Sequence, residues 1–234
     1  MSVHRACLLI AVAASIAAAP PVHAHLRDYL FTISYWTSPK GQYELEIYND
    51  YRRTDSDQGV FLHQTEFEYG ITDRLAAGVY AVLEKKGAGS FDYVRTKLET
   101  TYRLAESGRL PVDPALYLEY KIGAGDRDDE IEAKLILSKD FARTWNVTAN
   151  AIFEKERSSG ADWETGYTIG VSRWLSPKMT AGLELKGGEG TAYILPGAYL
   201  TLKPGVRLNI GPAFGITGKS DDFQIKSILE FEFF

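Results

Sequence analysis

The chain predicts an all-β protein, an antiparallel up-and-down transmembrane β-barrel of 12 strands. Three observations carry that expectation. From Gln42 to the carboxyl terminus, apolar and charged residues alternate with the two-residue period of a strand. The alternation recurs in runs of about 10 to 14 residues, the length that crosses a bilayer while tilted. A secretory leader precedes the runs, and no later stretch is long, apolar and uncharged, so any span must be built from strands.

Residues 1–24 read as a signal peptide. Arg5 supplies the positive start, Ala6 to Ala19 the apolar core, and Val22, His23 and Ala24 a small-x-small cleavage site, so the exported chain begins at His25. The apolar run is shorter than the roughly 20 residues of a spanning helix. Cys7, the single cysteine, lies inside the leader, which removes disulfides and thiol chemistry from the exported chain. The chain carries 26 Lys and Arg against 31 Asp and Glu, and only Arg5 of these falls in the leader. The acidic balance argues against a nucleic-acid partner, which wants a basic excess.

Residues 25–41 form an N-terminal segment without a settled rhythm. Tyr29 to Tyr35 is strand-like, but counting it as a full strand would give an odd number, against the even count of single-chain barrels. It is therefore expected at the periplasmic side or lining the lumen, where it is also able to act as a plug. Ser38 to Gly41 is a turn signal. The barrel occupies 42–234, with strands over 42–53, 59–70, 74–85, 91–104, 113–123, 129–139, 145–156, 163–174, 178–187, 191–202, 205–216 and 221–234.

Two kinds of connection alternate between them. Thr54–Asp57, Lys86–Ser90, Ala124–Asp128, Arg157–Gly160, Gly187–Gly190 and Thr217–Asp221 are polar, charged or rich in Gly and Ser. Gly70–Arg74, Lys139–Thr144, Leu175–Lys178 and Lys203–Gly205 are tight, and Ala105–Val112 is a longer member of the same class. With the tight turns and both termini on the periplasmic side, the count closes at an even number, and closure removes sheet edges that would otherwise aggregate.

The two parities differ in chemistry. One carries Tyr43, Leu45, Phe67, Val79, Leu118, Leu135, Phe153 and Phe214, and faces lipid. The other carries Glu66, Glu68, Arg95, Lys97, Glu99, Glu119, Lys121, Glu132, Lys134, Glu184, Lys186 and Arg207, the expected lumen-lining set. A Lys or Arg facing lipid at mid-depth costs roughly 2–4 kcal/mol, so this many charges on one parity require a polar interior. The last strand shows both faces. Phe223, Ile225, Leu229, Phe231 and Phe233 share one side, broken by Ser227, and Lys226, Glu230 and Glu232 share the other, with Ile228 the apolar exception. Phe231, Phe233 and Phe234 form the expected C-terminal assembly signal. Phe233 is in register with the apolar face, and Phe234 falls on the charged parity.

The stretch from Glu66 through Tyr69, Gly70, Ile71, Thr72, Asp73 and Arg74 to Tyr80 resembles a turn of Gram-negative outer-membrane barrels. Arg173 to Gly182 resembles a second copy, and Pro39 to Glu46 resembles the entry segment of such proteins. The chain as a whole resembles the outer-membrane transporters associated with aromatic-compound degradation pathways. The resemblance implies an outer-membrane barrel and solute passage, and carries over no catalytic residue.

Other chemistry has little material. His25 and His63 are the only histidines after the leader. His63 falls on the outward parity, where a lipid-modifying enzyme would need a serine beside it; the next residue on that face is Thr65. Gly218, Lys219 and Ser220 suggest a phosphate loop, but Ala213 stands where its first glycine is required, and no helix follows. Asn146 to Thr148 matches a glycosylation sequon inside a strand. No metal, cofactor or enzymatic activity is expected. The functional expectation is a passive channel or transporter for small solutes, with a charged, net-acidic lumen that favours cations. The alternatives are a sealed structural or surface-interaction barrel, a lipid-modifying enzyme and a soluble periplasmic barrel. Expected partners are outer-membrane lipid, the barrel-assembly machinery and an unidentified small solute.

Overall fold

The structure, a computed structural model, describes residues 29–53 and 59–233. The expected leader and cleavage site, His25, the Thr54–Asp57 connection and Phe234 lie outside the described residues. Twelve antiparallel strands follow one another: β1 (Tyr43–Arg53), β2 (Gly59–Thr72), β3 (Leu75–Lys86), β4 (Asp92–Arg103), β5 (Asp113–Gly123), β6 (Glu130–Phe141), β7 (Trp145–Glu156), β8 (Glu164–Ser176), β9 (Met179–Gly188), β10 (Thr191–Lys203), β11 (Val206–Gly215) and β12 (Phe223–Phe233). Each pairs with its sequence neighbours, and β12 closes on β1 from Tyr43 opposite Phe233 to Arg53 opposite Phe223. The described strand ends fall within two residues of those expected from alternation.

The surface is inverted relative to a soluble protein. Leu118 is 56% exposed, Leu183 49% and Phe153 47%, whereas Glu184 is 1% exposed. An apolar exterior around a charged interior is what lipid outside and a polar lumen inside require. Aromatic residues collect near the ends of the outer surface. Tyr43 lies against Phe67 and Tyr69 at the tight-turn end, and Phe61 lies against Phe91 at the loop end. Phe233 is half-exposed opposite Tyr43, on the apolar face.

Bulges sit where the turns are tight: between Gly70 and Thr72, Trp174 and Ser176, and Thr201 and Lys203. The β9–β10 connection is a two-residue turn with positive φ at Glu189 and Gly190, 49° and 84°, as a hairpin of this hand demands. A further irregularity lies between β3 and β4, after Val82. It lets Val94 pack inward on Tyr80 and Val82 while the next residue, Arg95, still reaches Glu130 inside the barrel. The β10–β11 ladder is interrupted. Ile194 pairs with Phe214 and Ala198 with Ile210, but the residues between, including Pro196 and Pro212, are unpaired across this seam. Proline has no N–H to donate, and two of them face the same gap.

Candidate functional site

The lumen is occupied by the chain's own N-terminal segment. Residues 29–42 run inside the barrel, and Tyr29, Leu30, Thr32 and Tyr35 are buried there. The segment has no ladder of its own, so wall side chains must satisfy its backbone. Glu184 on β9 takes three consecutive amides. The N–H of Leu30 donates to Oε1 at 2.6 Å, and those of Phe31 and Thr32 donate to Oε2 at 2.8 and 2.7 Å. Tyr199 donates its hydroxyl to the same carboxylate at 3.2 Å. Asn150 on β7 holds the next residue from both sides, accepting from Ile33 N–H at 2.7 Å and donating to the Ile33 carbonyl at 3.0 Å.

The ends of the segment are fixed as well. Tyr29 donates to Asn146 Oδ1 at 2.6 Å, and its ring rests on Gly170, where any Cβ would collide with it. Tyr35 donates to the Ala105 carbonyl at 2.5 Å and lies under the Arg103 guanidinium. Ser38 meets Glu44 and Glu68. The backbone of Gly41 and Gln42 pairs with Gly70, which is a glycine because a Cβ there would strike the Pro39 carbonyl.

Apolar residues on the inward parity form the seat. Tyr48, Tyr80, Tyr193, Leu195, Tyr199 and Ile228 surround Leu30, with Phe31 against the cluster. Tyr117, Ala115 and Ile136 surround Tyr35, with Ile33 and Trp36 against them. Ile228, the odd residue of the charged face, is 0% exposed for this reason. The β10–β11 gap is covered from inside by the same contact, since Leu30 lies against Gly211.

Most of the charged residues expected in the lumen fall into two groups. On β4–β7, Lys121 is surrounded by Glu119, Glu130, Glu132 and Glu154, at 3.8, 3.0, 3.3 and 2.5 Å. Arg95 reaches Glu130 at 2.7 Å, Lys97 reaches Glu119 at 3.4 Å, and Lys134 reaches Glu132 at 2.6 Å. Toward the tight-turn end, Glu66, Glu68 and Glu99 each bring one oxygen within 4.8 Å of the others. Hydroxyls hold them there: Tyr48 donates to Glu66, Tyr80 and Tyr117 donate to Glu99, and Ser38 donates to Glu68. Arg207 is buried and faces Glu230 across the β11–β12 pair. Lys186 stands apart, with its ammonium 4.7 Å from the Phe31 ring centroid.

The segment divides the interior. A cavity of about 310 Å³ lies on its loop side, and a small void of about 30 Å³ lies beside Glu46, Glu66, Glu68 and Glu99; Ile33 borders both.

Outside the barrel, His63 is positioned by its neighbours. Nδ1 is 2.9 Å from Asn49 Oδ1, and Nε2 is 3.4 Å from Thr65 Oγ1. Ser227, which breaks the apolar face of β12, pairs opposite Asn49 in the same row.

No family model matches the chain, and no curated protein matches it. Solved structures do. An outer-membrane channel from Pseudomonas putida F1 superposes with a TM-score of 0.63 at 15% identity, over 86% of this chain and 98% of that one. The KdgM porin in complex with disordered oligogalacturonate gives 0.60 at 8% identity, over 82% and 99%. The Acinetobacter baumannii outer-membrane protein Omp33 gives 0.51 at 12% identity, over 83% and 99%. At these identities the likeness is one of fold, that of outer-membrane β-barrels.

Proposed function

We propose that the chain is an outer-membrane channel for small solutes, closed at rest by residues 29–42 and opened when that segment leaves the wall. The observation that carries this reading is the Glu184 carboxylate holding the amides of Leu30, Phe31 and Thr32 inside a closed barrel. A permanently sealed scaffold would fill its lumen most simply with wall side chains, as barrels of about eight strands do. Here a separate piece of chain fills it, held between residues 30 and 33 by two wall side chains, Glu184 and Asn150, and not by a strand ladder. The fold shared with a channel and a porin supports the same reading. The acidic group beside the smaller void gives the tight-turn half a field that favours cations. The test is current across planar bilayers: the folded, full-length protein gives infrequent small steps, and a silent bilayer under all voltages would refute passage.

A second reading rests on Asn49, His63 and Thr65, whose contacts have the order of orienting group, base and hydroxyl nucleophile on the lipid-facing surface. It would make the chain a lipid-ester hydrolase. The barrel ladder, however, engages the neighbouring backbone N–H groups that an oxyanion would need. This reading requires release of fatty acid from phospholipid micelles that His63→Ala abolishes; no release by the folded protein sinks it.

A further inference from the structure

The loop-side cavity differs in charge from the lumen as a whole. Its lining includes Arg52, Lys97, Lys134, Lys186 and Lys226 against Asp50, Glu119 and Glu132. Three of those lysines already have a carboxylate: Lys97 with Glu119, Lys134 with Glu132, and Lys226 with Asp50 at 3.4 Å. Among the described residues no carboxylate comes within 4 Å of the Lys186 ammonium, which lies over the Phe31 ring, and Lys226 approaches the same ring at 5.3 Å. Lys186 is exposed, and the space it is exposed to is this cavity. An ammonium confined in a narrow lumen, with a second ammonium beside the same ring, makes a local excess of positive charge that an anion would neutralise.

The rest of the lining is uncharged and mixed: Leu30, Phe31, Ile33, Val60 and Leu62 are apolar, and four tyrosines with Gln64 and Gln224 add polar atoms. That mixture suits a ligand with one anionic end and an uncharged body, more than a bare inorganic anion. A volume of about 310 Å³ is at the small end for ligand pockets, so the body is short.

We propose that Lys186, assisted by Lys226, forms a carboxylate subsite on the loop side of the N-terminal segment, and that it takes small organic carboxylates with an uncharged body. Calling this ligand the solute rests on the channel reading; the binding itself does not. The subsite is built partly from the closing segment, since Phe31 and Leu30 belong to both. A carboxylate that takes Lys186 therefore does so next to the contact that holds the lumen shut.

The test is isothermal titration of the full-length, detergent-folded protein with hexanoate and with hexanamide, its neutral counterpart. Hexanoate is expected to bind at least about tenfold more tightly than hexanamide, the size of one charged contact. Lys186→Met should weaken hexanoate by about tenfold and leave hexanamide unchanged, whereas Lys186→Arg should stay within about threefold of the parent. Equal hexanoate affinity in the parent and Lys186→Met overturns the subsite, as does equal affinity for the two probes. Heat-modifiable gel migration checks that each variant is folded. If Lys186→Met does not fold, the probe comparison on the parent decides alone. Bilayer current without carboxylate binding removes this subsite and leaves the channel. Carboxylate binding without current does the reverse.

Discussion

Glu184→Ala should convert a mostly closed lumen into a mostly open one. The carboxylate is buried and accepts three backbone N–H groups from Leu30, Phe31 and Thr32. Hydrogen bonds to a charged group contribute about 1.5–3 kcal/mol each. Counting only two of the three, at the low end, gives about 3 kcal/mol, which raises the open-to-closed ratio by at least roughly 100-fold. Alanine takes away the one carboxylate that gathers these amides. The barrel itself should persist, because β9 keeps its ladders to β8 and β10. Single-channel recording reads the effect as long open times where the parent shows brief ones. Glu184→Gln should fall between, since an amide keeps one acceptor oxygen and loses the charge. Unchanged open times in Glu184→Ala would mean that the segment is held by its other contacts, chiefly Asn150 and the two aromatic seats.

Lys121→Met should cost the barrel more than any other single change in its interior. The ammonium is buried and lies within 4 Å of Glu119, Glu130, Glu132 and Glu154, which come from β5, β6 and β7. Removing one member of a buried ion pair costs about 3–5 kcal/mol, because the partner charge stays behind uncompensated. Arg95 and Lys134 still neutralise Glu130 and Glu132 in part, so the loss should lie at the lower end, near 3 kcal/mol. It should appear as a lower midpoint in urea unfolding from lipid vesicles. The deficit should shrink at acid pH, where protonated carboxyls no longer repel one another, and Lys121→Arg should recover most of it. An unchanged midpoint would show that lumen water already screens these charges.

Much of the fold was legible because a barrel writes itself twice per residue pair, once in the apolar face and once in the charged face. That is why β1 and β12 are recognisable as closing partners from their residues alone. Pro196 and Pro212 were less legible. Each sits in an alternating strand, and only the register brings them to one gap. The lumen charges are readable by parity, but parity says nothing of height along the barrel. A net-acidic count therefore conceals a basic cavity at one end. The segment 29–42 was the least legible element. It has no period, and its partners, Glu184 and Asn150, look like any other inward polar residues. A signal that could have found it is the set of apolar and aromatic residues on the charged parity, Tyr48, Tyr80, Tyr117, Ile136 and Ile228, of which the alternation marks only Ile228 as an exception. They interrupt a polar interior because something apolar rests on them.

In the proposed channel, residues 29–42 close the lumen and passage depends on their release. Single-channel conductance in planar bilayers tests this most directly, comparing the full-length protein with a chain lacking residues 29–37, both shown to be folded by heat-modifiable migration. The shortened chain should give steady steps several-fold larger than the small, infrequent steps of the parent in the same salt. Equal conductance in the two, or silence in both, would contradict the account.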